Sequence, residues 1–220
     1  MNLVRIIEVY LNKGDGNMYF DEEAKQWDTD YRVQRAKKIS NEIENYITNE
    51  EYVTALDFGC GTGLISFNLT NRFSEIMLMD LSEGMIEELK IKVKKRNIVN
   101  VNTWCGDVLT FNEEEKFDVI YTSMALHHIV DLPVILKKLY TMLNPSGKII
   151  IIELCKDDGT FHEEIQDYDG HNGFEIKEME EILESVGLKE ISSNVFYSSN
   201  KMVGDKLHPY ELFSMCGIKK

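Results

Sequence analysis

The chain has 220 residues, 43% of them hydrophobic and 28% charged, which is enough for one domain with a well-buried core. Its formal net charge of −14 excludes broad contact with nucleic-acid phosphates as the main role. No run of about 18 apolar residues predicts a membrane span, and the first residues do not predict a secretory leader.

The first predicted element is helical. Apolar side chains recur at helical spacing over residues 19–47, ahead of any strand-like run. We expect residues 1–50 to form a helical cap on a single domain that spans residues 1–220. The apolar positions of this pattern are Phe20, Trp27, Tyr31, Ala36, Ile39, Ile43 and Ile47.

Strand-like and helix-like segments alternate from residue 53 to about residue 187. This alternation predicts a mostly parallel sheet with helices on both faces. The predicted strands are Val53–Phe58, Glu75–Asp80, Val99–Cys105, Phe117–Ser123 and Lys148–Leu154. The predicted helices are Leu64–Phe73, one capped by Ser82, one capped by Asp131, and one that Gly187 ends.

Two segments depart from the alternation. Residues 155–174 are polar and rich in Asp, Glu, His and Gly, and we expect a substrate-side insertion there because long loops in compact domains often serve function. The segments near Leu188–Tyr197 and Tyr210–Ile218 predict two further strands at an antiparallel C-terminal edge.

The strongest motif is a glycine loop directly after the first strand. Asp57 is followed by Gly59, Gly61 and Gly63, and glycine lets the backbone turn tightly and approach a ligand. The helix that follows would point free N–H groups at that ligand. A dinucleotide fingerprint needs a glycine where Leu64 stands, and no Gly-Lys-Ser/Thr follows, so neither that motif nor a P-loop fits.

The pattern D-x-G-x-G-x-G resembles the first motif of class I S-adenosylmethionine-dependent methyltransferases. Later landmarks follow in that family's order: Asp80 ends the second strand, Gly106-Asp107 follows the third, Ser123 ends the fourth, and Asn144–Lys148 forms the turn before the fifth. The resemblance covers roughly residues 20–190. It implies a Rossmann-like class I fold with a mostly parallel seven-stranded sheet.

The resemblance also implies a cofactor site for S-adenosylmethionine. Asp57 would steady the loop and the methionine end, Asp80 would accept the ribose hydroxyls, and Asp107 would face adenine. For three further residues, ordinary packing is as good an explanation as contact with the cofactor, or a better one: Met85, Trp27 and Tyr31. The cofactor residues implied are Asp57, Gly59, Cys60, Gly61, Gly63, Asp80, Leu81, Met85, Gly106, Asp107, Val108, Ser123, Trp27 and Tyr31.

The implied reaction is in-line methyl transfer to a small-molecule acceptor, with S-adenosylhomocysteine as product. The sulfonium is already activated, so the protein has mainly to align the reacting atoms and exclude water. His127 and His128 follow the fourth strand, as a catalytic base or as plain pocket lining. A non-catalytic sensor or partner protein that binds the same cofactor is the alternative, and a nicotinamide-dependent reductase is a weaker one.

The sequence predicts no metal. The four cysteines Cys60, Cys105, Cys155 and Cys216 form no CxxC pair, which favours a reducing, cytoplasmic setting. A metal cluster in the insertion is conceivable, but no helical or turn spacing organises its candidates, so we expect a solvated, substrate-facing loop. Whether the chain is a monomer or a homodimer stays open. The candidate residues of the insertion are His162, Tyr168 and His171, with Asp167 and Asp169 nearby.

Overall fold

A computed structural model describes residues 14–47, 54–112, 114–165 and 168–220. Seven strands form one sheet at the centre of the molecule. They are β1 (Thr54–Phe58), β2 (Glu75–Asp80), β3 (Val101–Cys105), β4 (Phe117–Ser123), β5 (Leu143–Leu154), β6 (Leu188–Val203) and β7 (Lys206–Lys219). Their order across the sheet is β3-β2-β1-β4-β5-β7-β6.

Helices cover both faces of this sheet. The α-helices are α1 (Gly14–Glu23), α2 (Asp30–Tyr46), α3 (Ser66–Leu69), α4 (Glu83–Arg96), α5 (Leu132–Thr141) and α6 (Ile176–Val186). Short 3-10 helices cover Ala24–Gln26, Val108–Thr110, Leu126–His128 and Thr160–His162.

The predicted alternation produces the parallel part of the sheet. Strand β1 pairs in parallel with β2 and with β4, and β4 pairs in parallel with β5. Strand β7 runs antiparallel to both β5 and β6, which forms the predicted antiparallel edge. The four isoleucines at 149–152 are fully buried because both faces of β5 are covered. The predicted fold class is therefore confirmed.

Some boundaries differ from the prediction. The helix expected over Leu64–Phe73 is only the single turn α3, because Asn68 and Thr70 bond their side chains to the local carbonyls of Leu64 and Phe67. Strand β3 begins at Val101 instead of Val99. Val99 is 95% exposed and so adds nothing to the core.

The last two strands are longer than predicted. Their hairpin continues to Val203 and Lys206, through a polar stretch without strand-like alternation. Pairing along this hairpin is long-range, so local propensity does not reveal it.

Parts of three predicted elements lie outside the described residues. These are residues 1–13 and 48–50 of the helical cap, Val53 of the first strand, and residues 166–167 of the insertion, including Asp167. Within the ranges that are described, no helix is both long enough and apolar enough to cross a membrane.

Candidate active site

The glycine loop leaves the carboxyl end of β1 and turns back under β2. The N–H groups of Gly59 and Cys60 both donate to the carbonyl of Met79, at 2.9 and 3.0 Å. Gly59 has a φ of 74°, and a Cβ there would lie 2.5 Å from the Cβ of Ala125. Glycine is required at this point because the loop passes directly against the segment that follows β4.

Gly61 is the point of the loop that a ligand can approach. A Cβ at Gly61 would meet nothing nearer than the indole Nε1 of Trp27 at 3.7 Å and the Met85 sulfur at 4.0 Å. Trp27 is partly exposed, whereas Met85 is 1% exposed and packs beneath the loop. In this structure Met85 is therefore a core residue, and Trp27 lies over the loop.

Asp80 connects the end of β2 to the glycine loop. The Gly61 N–H donates to its Oδ2 at 2.7 Å, and the Ser82 N–H donates to its Oδ1 at 2.9 Å. Burial raises the pKa of Asp80, and these backbone donors oppose the shift. Asp80 is thereby held between the glycine loop and the start of the helix that follows β2.

Asp57 lies beneath the loop and not on its open side. Its side chain is buried, and the Ser66 hydroxyl donates to Oδ2 at 2.5 Å. The hydroxyl of Tyr121 also contacts Ser66, at 2.5 Å. Burial raises the pKa of Asp57 to about 7, opposed by the Ser66 bond and supported by Asp80. Asp57 therefore steadies the loop through α3, and its predicted contact with the methionine end stays a prediction.

The segment after β3 contains Asp107, the residue predicted to face the adenine ring. Asp107 caps the Val108–Thr110 turn by accepting the Leu109 N–H at 2.9 Å. A Cβ on Gly106 would lie 3.2 Å from the Nε1 of Trp104, which is buried without a hydrogen-bond partner among the residues described. Val108 is buried in the core. The free indole N–H offers a donor that the sequence analysis did not consider.

The N-terminal helices lie across the cleft. The ring of Phe20, on α1, is 5.7 Å from Trp27 and 5.3 Å from His128, both edge to face. The Thr62 hydroxyl donates to Asp28 at 2.5 Å, which ties the segment between α1 and α2 to the glycine loop. Phe20 and Trp27 thus bridge from the loop to the histidines after β4.

Tyr31 packs against the C-terminal hairpin, and its predicted place over the cofactor stays a prediction. Its hydroxyl hydrogen-bonds to that of Tyr210 on β7, so it contacts the hairpin and not the glycine loop. Leu81 is 49% exposed at the rim. Cys60 is partly buried, and burial raises the pKa of its thiol well above the ordinary value, so the thiol is not activated as a nucleophile.

His127 forms a buried pair with Glu153. Its Nδ1 lies 2.7 Å from the Glu153 Oε2, and the two side chains are 2% and 0% exposed. Glu153 also accepts the N–H groups of Leu126 and Leu154, at 2.7 and 3.0 Å. A carboxylate held in this way fixes the orientation of the imidazole, with its Nδ1 toward Glu153.

His128 and His162 complete a cluster with His127. The His127 ring centroid is 4.2 Å from that of His128 and 4.9 Å from that of His162. Burial lowers the pKa of His128 well below its usual value and that of His162 to about 3, and the neighbouring His127 adds to both shifts. Both imidazoles are therefore neutral at physiological pH.

The polar insertion packs onto this cluster. His162 is only 4% exposed and stacks on Tyr168, with ring centroids 4.1 Å apart, so the expectation of a solvated loop is wrong at these residues. The Tyr168 hydroxyl donates to the carbonyls of His127 and His171, at 2.9 Å each. His171 is held elsewhere, with Nε2 2.9 Å from the Ile129 carbonyl, and Asp169 is exposed.

Three cations lie near one another on one rim of the site, beside Trp27, Tyr210 and Phe161. The Arg32 guanidinium lies 3.8 Å above the Trp27 ring, and Arg35 donates to the Tyr210 hydroxyl at 3.5 Å. Lys201 donates to the Phe161 carbonyl at 2.6 Å. Among the carboxylates the structure describes, none lies within ion-pair distance of Arg32, Arg35 or Lys201.

Sequence reasoning missed Glu153 and Phe20. Glu153 follows four consecutive buried isoleucines, and a carboxylate in such a strand must have a partner, so this position was a recognisable signal. Phe20 belonged to the predicted helical pattern, but its contact with His128 joins elements more than 100 residues apart. No local pattern encodes that contact.

The carboxyl ends of β1, β2 and β4 bring together groups that can bind a nucleoside with a sulfonium. Asp80 presents a carboxylate, the loop presents its backbone at Gly61, and the Ser123 hydroxyl is buried with no partner among the residues described. An orphaned polar atom at the end of β4 calls for a ligand contact. The residues present therefore fit S-adenosylmethionine.

Comparisons with known proteins agree with this geometry. Residues 55–147 match a family model described as a methyltransferase domain. An uncharacterized methyltransferase of Schizosaccharomyces pombe is 35% identical over 119 residues, which cover 50% of this chain and 42% of that protein. A malonyl-[acyl-carrier protein] O-methyltransferase of Priestia megaterium is 32% identical over 148 residues, covering 66% of this chain and 52% of that one.

A solved structure shows the same fold. Haemonchus contortus phosphoethanolamine N-methyltransferase 2, in complex with S-adenosyl-L-methionine, has a TM-score of 0.66 and 18% identity, covering 82% of this chain and 52% of that one. The chain spans about half the length of the curated relatives it matches. Residues 55–147 therefore form a methyltransferase domain, and in motif order and fold the chain is similar to the class I S-adenosylmethionine-dependent methyltransferases.

Proposed function

We propose that the chain transfers the methyl group of S-adenosylmethionine to a small acceptor that carries an anionic group. The observation that carries the proposal is the juxtaposition of the loop and Asp80 with a rim of three cations. The first feature suits the donor, and the second suits a negatively charged acceptor.

For this reaction the protein must bind S-adenosylmethionine and align its methyl group with the acceptor atom. The acceptor atom forms a bond to the methyl carbon as the carbon–sulfur bond breaks, and the electron pair stays on sulfur to give neutral S-adenosylhomocysteine. Asp80 and the loop would hold the nucleoside, while Phe20 and Trp27 would exclude water from the reacting atoms. His128 contacts Phe20 and would line the acceptor side.

The rim supports an anionic acceptor because it contrasts with the rest of the surface. The whole chain carries a net charge of −14, so a local group of three cations that form no ion pair with the carboxylates described marks a specific place. Burial lowers the pKa of Lys201, and the fields of Arg32 and Arg35 lower it further, although Glu164 opposes them. An acceptor carboxylate or phosphate would relieve this repulsion.

The relatives are consistent with this charge. The Priestia protein is named for malonyl-[acyl-carrier protein], and the Haemonchus protein for phosphoethanolamine. A malonyl group carries a carboxylate and phosphoethanolamine a phosphate, so each of those names specifies an anionic acceptor. These names support an anionic acceptor for the present chain, and experiment must identify the molecule.

The test supplies the purified chain with S-adenosylmethionine labelled in its methyl group and a metabolite extract separated by anion exchange. We expect label in the anion-retained fractions. Lys201→Met should raise the KM for that acceptor about 10- to 100-fold through loss of one charged contact, with donor affinity unchanged. Lys189→Met, which changes an exposed lysine on the same strand β6, is the matched control.

Two results would contradict the proposal. Label confined to neutral or cationic metabolites would contradict the anionic acceptor and leave methyl transfer intact. Tight donor binding without transfer to any fraction would contradict the reaction itself.

A further inference from the structure

The histidine cluster contains a ligand set that the methyl-donor site does not use. One ring nitrogen from each of His127, His128 and His162 lies within 4.8 Å of the other two. Two of these residues follow β4, and the third comes from the insertion after β5, more than 30 residues later. The fold, and not a local spacing, therefore brings the three imidazoles together.

We propose that His127, His128 and His162 bind one divalent transition-metal ion, of which Zn²⁺ is the model case. Three imidazoles with a further coordination position open form an established donor set for catalytic zinc. The donors are nitrogen only, which favours zinc-like ions over the oxygen-seeking Mg²⁺ and Ca²⁺.

Glu153 provides the outer support that such a site requires. Its Oε2 contacts the Nδ1 of His127 at 2.7 Å, so the Nε2 of that ring remains available as the ligand atom. Metal-binding histidines commonly hold their second nitrogen against a carboxylate in this way, which fixes the ring and raises its basicity. Glu153 is fully buried, and its contacts with the backbone at Leu126 and Leu154 hold it in place.

His162 gives an independent indication. Its residue is 4% exposed, and its Nδ1 is buried without a hydrogen-bond partner among the residues the structure describes. Buried polar atoms rarely lack a partner, and a metal ion would provide one. The stacked ring of Tyr168 keeps this imidazole at the cluster.

The geometry needs only a small contraction. Zinc–nitrogen bonds of 2.0–2.1 Å in a tetrahedral site place the ligand nitrogens about 3.3 Å apart. Side-chain rotations of His128 and His162 can close the remaining distance from 4.8 Å, because the backbone already brings the rings together. The His162 ring can also turn by 180° to present either nitrogen.

The open coordination position would lie beside the acceptor. The His128 ring contacts Phe20 on α1, and the Phe20 ring also contacts Trp27 beside the glycine loop. A metal ion here could hold an acceptor oxygen or nitrogen near the donor methyl, and this role rests on the proposed function. Binding of the ion itself does not depend on methyl transfer, so the two can be tested separately.

The experiment measures metal binding directly. The whole chain is stripped with a chelator, dialysed, and titrated with Co²⁺ as a spectroscopic substitute for Zn²⁺. We expect saturation at one ion per chain, with visible absorption typical of four-coordinate cobalt and no sulfur-to-cobalt charge-transfer band. Zn²⁺ should displace the cobalt in the same stoichiometry.

Three variants locate the site. His162→Ala should weaken cobalt binding at least 100-fold, since a ligand is removed, and Glu153→Gln should weaken it about 10- to 100-fold. His208→Ala is the matched control, because His208 lies on β7 outside the cluster, and it should bind as the parent does. Affinity for S-adenosylmethionine, measured on the same samples, reports whether each variant is folded.

The proposal is overturned if His162→Ala, with donor affinity intact, binds cobalt as tightly as the parent. A charge-transfer band would also overturn it, by assigning the ion to cysteine. If His162→Ala loses donor affinity and is therefore unfolded, His128→Gln at the partly exposed position takes its place, with the same expected loss. If the parent chain binds the metal ion but transfers no methyl group, the result contradicts the proposed function and leaves the metal site standing.

Discussion

The two sides of the cleft are built from different kinds of group. On the donor side, backbone N–H groups and two aspartates come from β1, β2 and the turns that directly follow them. On the acceptor side, side chains from α1, β5, the segment after β4 and the insertion meet over long sequence separations. A donor that is the same for a whole family can use a fixed backbone frame, whereas acceptors differ and require side chains that vary.

The contrast extends to the buried charges. The donor side holds Asp57 and Asp80 with one or two hydrogen bonds each, and burial raises the pKa of both. The acceptor side holds Glu153 with an imidazole and backbone donors, and its rim carries cations. Burial of these two aspartates therefore makes the free energy of unfolding depend on pH.

Asp57→Asn should change the pH dependence of stability. The pKa of Asp57 rises from 3.8 to about 7 on folding, so between these values the folded chain holds a proton that the unfolded chain has lost. Stability from this group is complete below pH 4 and is lost as the pH rises through 7. The loss is at most about 4 kcal/mol, since each pKa unit corresponds to about 1.4 kcal/mol.

Urea unfolding of both proteins at pH 5 and pH 8 measures this effect. We expect the free energy of unfolding of the asparagine variant to exceed that of the parent at pH 8, by less than that maximum, with a smaller difference at pH 5. Asparagine can still accept the Ser66 hydroxyl. Parallel pH profiles for the two proteins would show that Asp57 is ionised in the folded state and would remove the contrast in buried charge.

Asp80→Ala should weaken the affinity for S-adenosylmethionine about 10- to 100-fold. A charged hydrogen bond contributes roughly 1.5–3 kcal/mol, and the variant also leaves the Gly61 and Ser82 N–H groups without their acceptor. Titration calorimetry measures the loss. Lys201→Met, on the acceptor rim, is the control that should leave donor affinity unchanged. Equal losses in the two variants would contradict the division of the cleft into two sides.

The donor side was largely predictable because its signals are local. Buried runs of apolar residues and the glycine spacing after Asp57 predicted β1, the loop and the fold, and the family comparisons confirm the fold and the methyl donor. The same local patterns overestimated α3, where Asn68 and Thr70 bond to nearby carbonyls in place of a longer helix.

The acceptor side was not predictable in the same way. His127 and His128 were recognised as candidates because they follow β4, but nothing in the sequence joins them to His162 or to Glu153. Ligand spacing was sought within the insertion alone, and its absence there led to the prediction of no metal. Only the fold brings the ligand set together, by placing the insertion against the end of β4. The cobalt titration decides between the predicted absence of a metal and the proposed metal site.

Asp21→Ala tests how α1 is held over the site. This helix carries Phe20 and acts as a lid between the two sides, and the variant has the smallest expected effect. The Asp21 carboxylate accepts the Ser82 hydroxyl at 2.5 Å and the Gly84 N–H at 2.9 Å, and so fastens α1 to the first turn of α4. Because Asp21 is exposed, its removal should cost only about 1 kcal/mol. We expect hydrogen exchange in α1 to speed up about fivefold, as the lid opens more often.

Glu22→Ala is the matched control for this change. Glu22 is the next residue on α1 and is exposed, with no hydrogen bond to the residues described, so exchange in α1 should stay at the parent rate. Donor affinity should fall less than fivefold in Asp21→Ala, because Thr62 and Asp28 still tie the lid segment to the loop. Unchanged exchange in Asp21→Ala would mean that this second tie alone holds the lid. The two sides of the cleft would then be coupled through the glycine loop itself and not through the start of α4.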